Sequence, residues 1–265
     1  MSKAVLRVLT EEQLTQFKLN GFLVIEDVLS GDEVEALATR GDLIAAGKAK
    51  HIPETSIQLE EAFRDGKKPI ENQVLSVRKL YNLANYDDVM WRHVCNPKIV
   101  DIVSDLLSSD DIKMYGDQLL MKAPGGVGTA LAWHQDSASW RDIFPMDLIS
   151  AWTAIDHATE ENGCLNFVPG THRWGMMRGN RIERLTEDLG GGKWPIIPVR
   201  LRPGSISFHH SLILHMSSAN KSKRRRRGYT IHYMRATSWR DESVADAPKM
   251  PPFKLVRGRS FSGRV

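Results

Sequence analysis

Trp133-His134-Gln135-Asp136 places an imidazole and a carboxylate two residues apart. Residues i and i+2 of a β-strand project from the same face, so on a strand His134 and Asp136 can reach one metal ion while Gln135 points away. A second histidine from a distant strand would complete the two-histidine, one-carboxylate set of non-haem iron(II) oxygenases. Alone the pair is a cheap signal. In a chain with nine histidines and 32 acidic residues a chance His-x-Asp is common, and the plain alternative is a polar pair at a strand end. The third ligand must come from the other histidines. The cluster of interest is Phe208-His209-His210-Ser211-Leu212-Ile213-Leu214-His215, where His215 ends an apolar run before the polar turn Ser217-Ser218-Ala219-Asn220. Periodicity does not choose between His209, His210 and His215.

Net charge is +4, and much of the excess sits in Lys221-Ser222-Lys223-Arg224-Arg225-Arg226-Arg227. A nucleic-acid binder spreads cations over a face or groove, usually with aromatics among them, so one short run fits a solvated turn at least as well. A third meaning follows from the metal motif. A dicarboxylate cosubstrate that chelates iron at one end needs a cation at the other, and arginine holds a carboxylate bidentately without deprotonating.

These residues need a scaffold. At 265 residues, 42% hydrophobic and 26% charged, the chain reads as one globular domain over 1–265. No apolar run approaches the ~18 residues of a membrane span. The N-terminal residues do not read as a secretory signal. Two cysteines, Cys95 and Cys164, make no disulfide framework, so a reducing, cytoplasmic setting is expected. Thr10 with Gln13, and Ser30 with Glu33, open two helices. Gly21 punctuates before the strand Phe22-Leu23-Val24-Ile25. Residues 46–75 read as a polar loop over a site. Helical pattern returns over Asp87–Leu107, with Pro97 opening its second half. From about residue 112 short apolar runs alternate with turn residues: Lys113–Lys122, Ala130–Asp136, Leu148–Ile155, Leu165–Val168, Ile196–Leu201, Ser205–Phe208 and Tyr229–Met234. Strands so spaced predict an antiparallel sandwich or barrel. Helical support is thus expected mainly over 1–110 and a β core mainly over 112–240.

In this order the pieces resemble the phytanoyl-CoA dioxygenase family of iron(II)/2-oxoglutarate-dependent oxygenases. Those that carry the resemblance are Gly21-Phe22-Leu23-Val24-Ile25 with Leu29-Ser30, His134-Gln135-Asp136, Glu161-Asn162-Gly163-Cys164-Leu165 through Val168-Pro169-Gly170-Thr171-His172, and His215, Ser217, Asn220 and Ser222 with the following arginines. The resemblance implies a mainly β fold, a double-stranded β-helix (jelly-roll, cupin-like) core with supporting N-terminal helices. It implies His134, Asp136 and His215 as catalytic metal ligands for Fe(II). Arg226, eleven residues after His215, falls at the family's 2-oxoglutarate arginine, and Trp152, sixteen after Asp136, beside the cosubstrate. Gln118 and Lys79 lie near segments that contribute to the pocket in relatives. His172 is implied as structural rather than as a ligand.

The implied chemistry converts 2-oxoglutarate and O2 to succinate and CO2 and hydroxylates an unactivated C–H of a small metabolite. Related halogenases carry a small residue where Asp136 stands, so Asp136 argues for hydroxylation, desaturation or cyclisation. Other readings are a catalytically silent cupin-like binding or regulatory protein, a zinc hydrolase, and a nucleic-acid-associated protein using the basic run. The preferred partner is a small molecule, with neither nucleic acid nor membrane. Specificity is expected from the loops 46–78, 137–147 and 173–195. Their cations Arg141, Arg178, Arg181, Arg184 and Lys193 would tolerate an anionic substrate.

Overall fold

The computed structural model describes residues 6–64, 66, 69–177, 181–244 and 253–265. Thr10 and Ser30 each close a capping box, with Gln13 and Glu33, so the first two helices start where side chains satisfy their free backbone N–H groups. They are α1 (Glu11–Asn20) and α2 (Gly31–Ala45), separated by β1 (Phe22–Ile25). The segment 46–75, expected as a loop, instead carries β2 (Ile57–Leu59), α3 (Glu61–Arg64) and α4 (Gln73–Ser76), and leads into β3 (Val77–Tyr81). Elements of three to five residues leave no period to read. They form because β2 pairs with β3, and β3 with the next strand, at one edge of a sheet. α5 (Asp88–Val94) and α6 (Pro97–Leu107) follow, the latter with Pro97 in its first turn.

The remainder is mostly strand. In chain order come β4 (Ile112–Lys122), β5 (Leu131–His134), β6 (Ile143–Phe144), β7 (Ile149–Ala154) and β8 (Leu165–Phe167). A helix, α7 (Arg181–Gly190), interrupts the stretch 173–195 that was expected to be loop. Its Ile182, Leu185 and Leu189 share a face and pack near Trp133, Trp174 and Leu214, a spacing open to reading in the sequence. Then come β9 (Ile197–Val199), β10 (Ile206–His210), β11 (His215–Ser217), β12 (Arg226–Arg235), β13 (Trp239–Arg240) and β14 (Leu255–Arg257). The large antiparallel sheet has the order β1-β10-β7-β12-β4-β3-β2, with β14 on β4. The small sheet is β5-β11-β8-β9. This is the jelly-roll arrangement, with helices on one face of the large sheet.

Strand alternation divides the large sheet between two jobs. Ile149 and Ala151 of β7, Ile206 and Phe208 of β10, and Tyr229 and Ile231 of β12 join the helices in one apolar cluster. Their neighbours Ser150, Trp152, Ser207, His209, Thr230 and His232 fall on the opposite face, toward the small sheet. Gly228 belongs to that inner face because Trp152 lies against it: an added Cβ would stand 1.9 Å from Trp152 Cζ2.

One buried base under the sheet makes stability depend on pH. His93 of α5 shares a hydrogen bond with Thr153 Oγ1 (3.1 Å), and burial pushes its pKa down to about 4, with Glu33 opposing only in part. The unfolded chain takes up that proton below about pH 6.5 while the folded protein does not. His93 therefore withdraws stability progressively as pH falls from 6.5 to 4, by about 3 kcal/mol in all. Thermal midpoints of wild type and His93→Gln across that window should converge as pH falls; parallel curves would remove His93 from the account.

Candidate metal centre and its cavity

His134 is the last residue of β5 and His215 the first of β11, and the two are direct partners across the small sheet. Pairing brings the ring centroids to 4.1 Å. Asp136 lies beyond the strand end, opening a 3-10 turn over Asp136–Ser139, so the expected strand through Asp136 stops two residues early. Gln135 turns the other way, donating to Gly175 O and Leu212 O and accepting from the Met177 amide. Asp136 Oδ1 lies 3.5 Å from His134 Nε2 and 3.6 Å from His215 Nε2. One ligand atom from each of the three residues lies within 4.8 Å of the other two.

The ring tautomers suit a cation. His134 Nδ1–H donates to Ala132 O (2.8 Å) and His215 Nδ1–H to Ile213 O (3.1 Å). A carbonyl can only accept, so in each neutral ring the Nε2 lone pair faces the centre, the arrangement by which proteins orient metal-ligating histidines. The second oxygen, Asp136 Oδ2, is engaged separately: Ser150 Oγ donates to it at 2.7 Å and His209 Nε2 stands 3.4 Å away. The carboxylate thus presents one oxygen to the cluster. Burial alone would raise the pKa of Asp136, but His215, then His134, His209 and His232, hold it well below the usual range. Burial, then His134, holds His215 well below the ordinary imidazole value. For His134 burial works downward, yet the contact with Asp136 leaves a net upward shift.

Spacing left the distal histidine open, and strand pairing separates the three candidates. His215 joins the cluster, His209 approaches the other face of the carboxylate, and His210 packs against His172 (5.1 Å) while accepting from the Leu212 amide (3.1 Å). His172 itself contacts Lys18 O (3.2 Å), away from the cluster.

His134, Asp136 and His215 line a cavity of about 570 Å³, together with Gln118, Lys79 and Trp152. Behind that lining lies Arg226, only 1% exposed. Its Nη2 donates to Gly163 O (2.9 Å), and its guanidinium carbon is 5.3 Å from the Trp152 ring centroid. Its Nε and Nη1, the Trp152 indole nitrogen and Thr230 Oγ1 are all buried without a partner. Burial pulls the Arg226 pKa down to about 10, which leaves it cationic at neutral pH. Unpaired buried donors around one charge are unusual enough to require a partner.

The flanking arginines differ. Arg225 makes a two-point contact with Asp42 (3.0 and 2.7 Å). Arg227 is not the water-facing residue the solvated-turn reading expects: it is 7% exposed, with Nε and Nη2 on the two oxygens of Asp156 (2.9 and 2.8 Å) and Nη1 donating to Ala38 O. Only Lys221, Lys223 and Arg224 of the run are exposed.

The cations expected around the mouth lie elsewhere. Arg141, Arg181, Arg184 and Lys193 are exposed and outside the lining, and Arg178 falls outside the described residues. The basic side chains of the lining are Arg78, Lys79 and Lys122. Lys79 Nζ stands over the Tyr81 ring at 4.7 Å, and burial, then Arg78, lowers its pKa. Lys122 donates to Ser217 O and Ser218 O, and burial, then Arg226, pushes it down to about 6. Sequence reading missed Lys122, Ser150, Tyr115 and Trp140. The alternation Ile149-Ser150-Ala151-Trp152 was the available sign that Ser150 faces the same way as Trp152.

Residues 17–228 match the family model of phytanoyl-CoA dioxygenase. A Caenorhabditis elegans protein described as a probable phytanoyl-CoA dioxygenase is 28% identical over 246 residues, covering 85% of this chain and 75% of the relative. Phytanoyl-CoA dioxygenase domain-containing protein 1 of Danio rerio is 26% identical over 289 residues, covering 93% and 98%. Among solved structures, EctD from S. alaskensis with 2-oxoglutarate and 5-hydroxyectoine superposes with a TM-score of 0.76 at 23% identity, over 97% of this chain and 87% of that one. At that identity the likeness is one of fold. Among the described residues no helix is long and apolar enough to cross a membrane.

Proposed function

The chain belongs to the phytanoyl-CoA dioxygenase family, and from that membership and its cavity we propose that it uses iron(II), 2-oxoglutarate and O2 to hydroxylate an unactivated C–H of a small metabolite, with release of succinate and CO2. The observation that carries this reading is the buried, half-unpaired Arg226 set behind a two-histidine, one-carboxylate cluster. His134 Nε2, Asp136 Oδ1 and His215 Nε2 would hold the iron, and their oriented tautomers fit that task. Iron and 2-oxoglutarate, when bound, supply the oxidising power for the C–H bond.

The protein's own residues bind, orient and exclude water. Arg226 would take the far carboxylate of 2-oxoglutarate on its free Nε and Nη1, with Thr230 and Trp152 as further donors. Gln118 and Lys79 would complete the cosubstrate wall. Ser150 and His209 hold Asp136 Oδ2, which keeps Oδ1 aimed at the cluster. Arg78 and Lys79 at the lining support a substrate with an anionic group, in place of the exposed loop cations.

Anaerobic titration with Fe(II) and then 2-oxoglutarate should give the weak visible charge-transfer band of the chelate. His215→Ala is expected to abolish the band, and His210→Ala, whose ring packs on His172, to leave it. The reverse result would move the distal ligand to His210, and no band in the wild-type protein would sink the cosubstrate assignment.

A further inference from the structure

Ser150 stands between Asp136 and His232, and one proton decides what His232 offers the cavity. Ser150 Oγ is 2.7 Å from Asp136 Oδ2 and 2.8 Å from His232 Nδ1. A carboxylate that serves as a metal ligand can only accept, so the single serine proton goes to Asp136 Oδ2. A serine lone pair facing an unprotonated imidazole nitrogen at 2.8 Å would be repulsive. Nδ1 of His232 must therefore carry a hydrogen and donate to Ser150. With Nδ1–H engaged by Ser150, the neutral ring carries its lone pair on Nε2. That Nε2 is buried without a partner, in a ring that lines the cavity. Trp140 packs edge-on against the same ring at 4.7 Å, also lines the cavity, and its indole N–H likewise has no partner. Tyr115 braces Trp140 from the other side (4.6 Å), with Phe253 stacked behind it (5.2 Å), so the pair is held by packing.

We propose that His232 and Trp140 form a substrate-recognition pair, with His232 Nε2 accepting a hydrogen bond from a hydroxyl group of the substrate and Trp140 Nε1 donating one to an oxygen of the same group. A hydroxyl satisfies both from one atom, whereas an ether or a hydrocarbon leaves Nε2 unpaired and desolvated. The substrate class this selects already carries a hydroxyl close to the carbon to be oxidised, since the His232 ring lies beside Asp136 (Nδ1 to Oδ2, 3.9 Å). The inference rests on reading the cavity as the substrate site, but its first test needs neither iron nor turnover.

In protein with ¹⁵N-labelled histidine and no metal, His232 should show a protonated Nδ1 and an unprotonated Nε2, and Ser150→Ala should mix the two tautomers. A protonated Nε2 in the wild type would overturn the assignment. The full-length protein loaded with Zn(II) and 2-oxoglutarate, a diamagnetic stand-in, is then titrated with 2-phenylethanol and with its isomer benzyl methyl ether. The alcohol should shift the Nε2 resonance saturably and bind about tenfold more tightly than the ether. His232→Phe should equalise the isomers, and His232→Gln, which keeps an acceptor oxygen, should restore part of the preference. Equal binding in the wild type, or no saturable shift with the alcohol, overturns the proposal. Failure of Zn(II) or 2-oxoglutarate to bind, with the tautomer as stated, would count against the iron reading instead.

Discussion

Asp136→Ala is expected to lower substrate-stimulated succinate formation by more than about 100-fold, because residues that merely support metal ligands already cost about 10–100-fold when removed. The same variant should lose stoichiometric Fe(II) retention and yet keep its fold. Asp136 lies past the end of β5 in a short turn, and no apolar cluster depends on its side chain. Its partners tolerate its loss: Ser150 still accepts from His232 Nδ1, and its freed hydroxyl hydrogen can turn into the cavity. Circular dichroism should be unchanged, while the rise in thermal midpoint that Fe(II) gives the wild type should vanish. Wild-type turnover with retained iron in Asp136→Ala would exclude the carboxylate as a ligand.

Local chemistry was legible where it acts over a few residues. Thr10 with Gln13 and Ser30 with Glu33 are contiguous devices, and both capped the helices they were expected to cap. The shared face of His134 and Asp136 needed only the i, i+2 rule, and it holds although the strand ends at His134. The distal histidine was not legible from spacing, because membership of the cluster depends on β11 pairing with β5 across the small sheet, and β11 is three residues long. The resemblance of the segment His215, Ser217, Asn220 and Ser222 pointed to His215; the pairing supplies the physical cause of its place in the cluster. The arginine run carried the same ambiguity in another form. Whether an arginine faces water or Asp156, 71 residues away, is a property of the β12–β7 junction and not of the run. The helix over Arg181–Gly190 is a different kind of miss, since the apolar spacing of Ile182, Leu185 and Leu189 was present in the sequence.

The arginine run gives the sharpest separation of outcomes. Along β12 the side chains of Arg226, Thr230 and His232 share the inner face, while Tyr229 and Ile231 face the helices, and the strand stays regular until a bulge between His232 and Tyr233. Arg226→Ala should leave Fe(II) binding near wild type and weaken 2-oxoglutarate by about 2–5 kcal/mol, roughly 30-fold to several thousand-fold, the cost of stripping a buried carboxylate of a charged, hydrogen-bonded partner. It should not unfold the protein, because two of its donors have no partner to lose. Arg225→Ala removes a half-exposed pair with Asp42 and should cost about 0–1 kcal/mol of stability with little change in affinity. Arg227→Ala is the informative control. It breaks a largely buried pair and leaves Asp156 with the residue-227 backbone N–H (2.8 Å) in place of the guanidinium, so it should lower the thermal midpoint most of the three, by about 3 kcal/mol in stability, with affinity in the surviving folded fraction little changed. Apparent 2-oxoglutarate affinity at fixed iron and thermal midpoints, measured together on the three variants, keep the two effects apart. A large affinity loss in Arg227→Ala with Arg226→Ala spared would shift the cosubstrate arginine by one residue. Three small affinity changes would mean that the unpaired guanidinium of Arg226 serves some other anion.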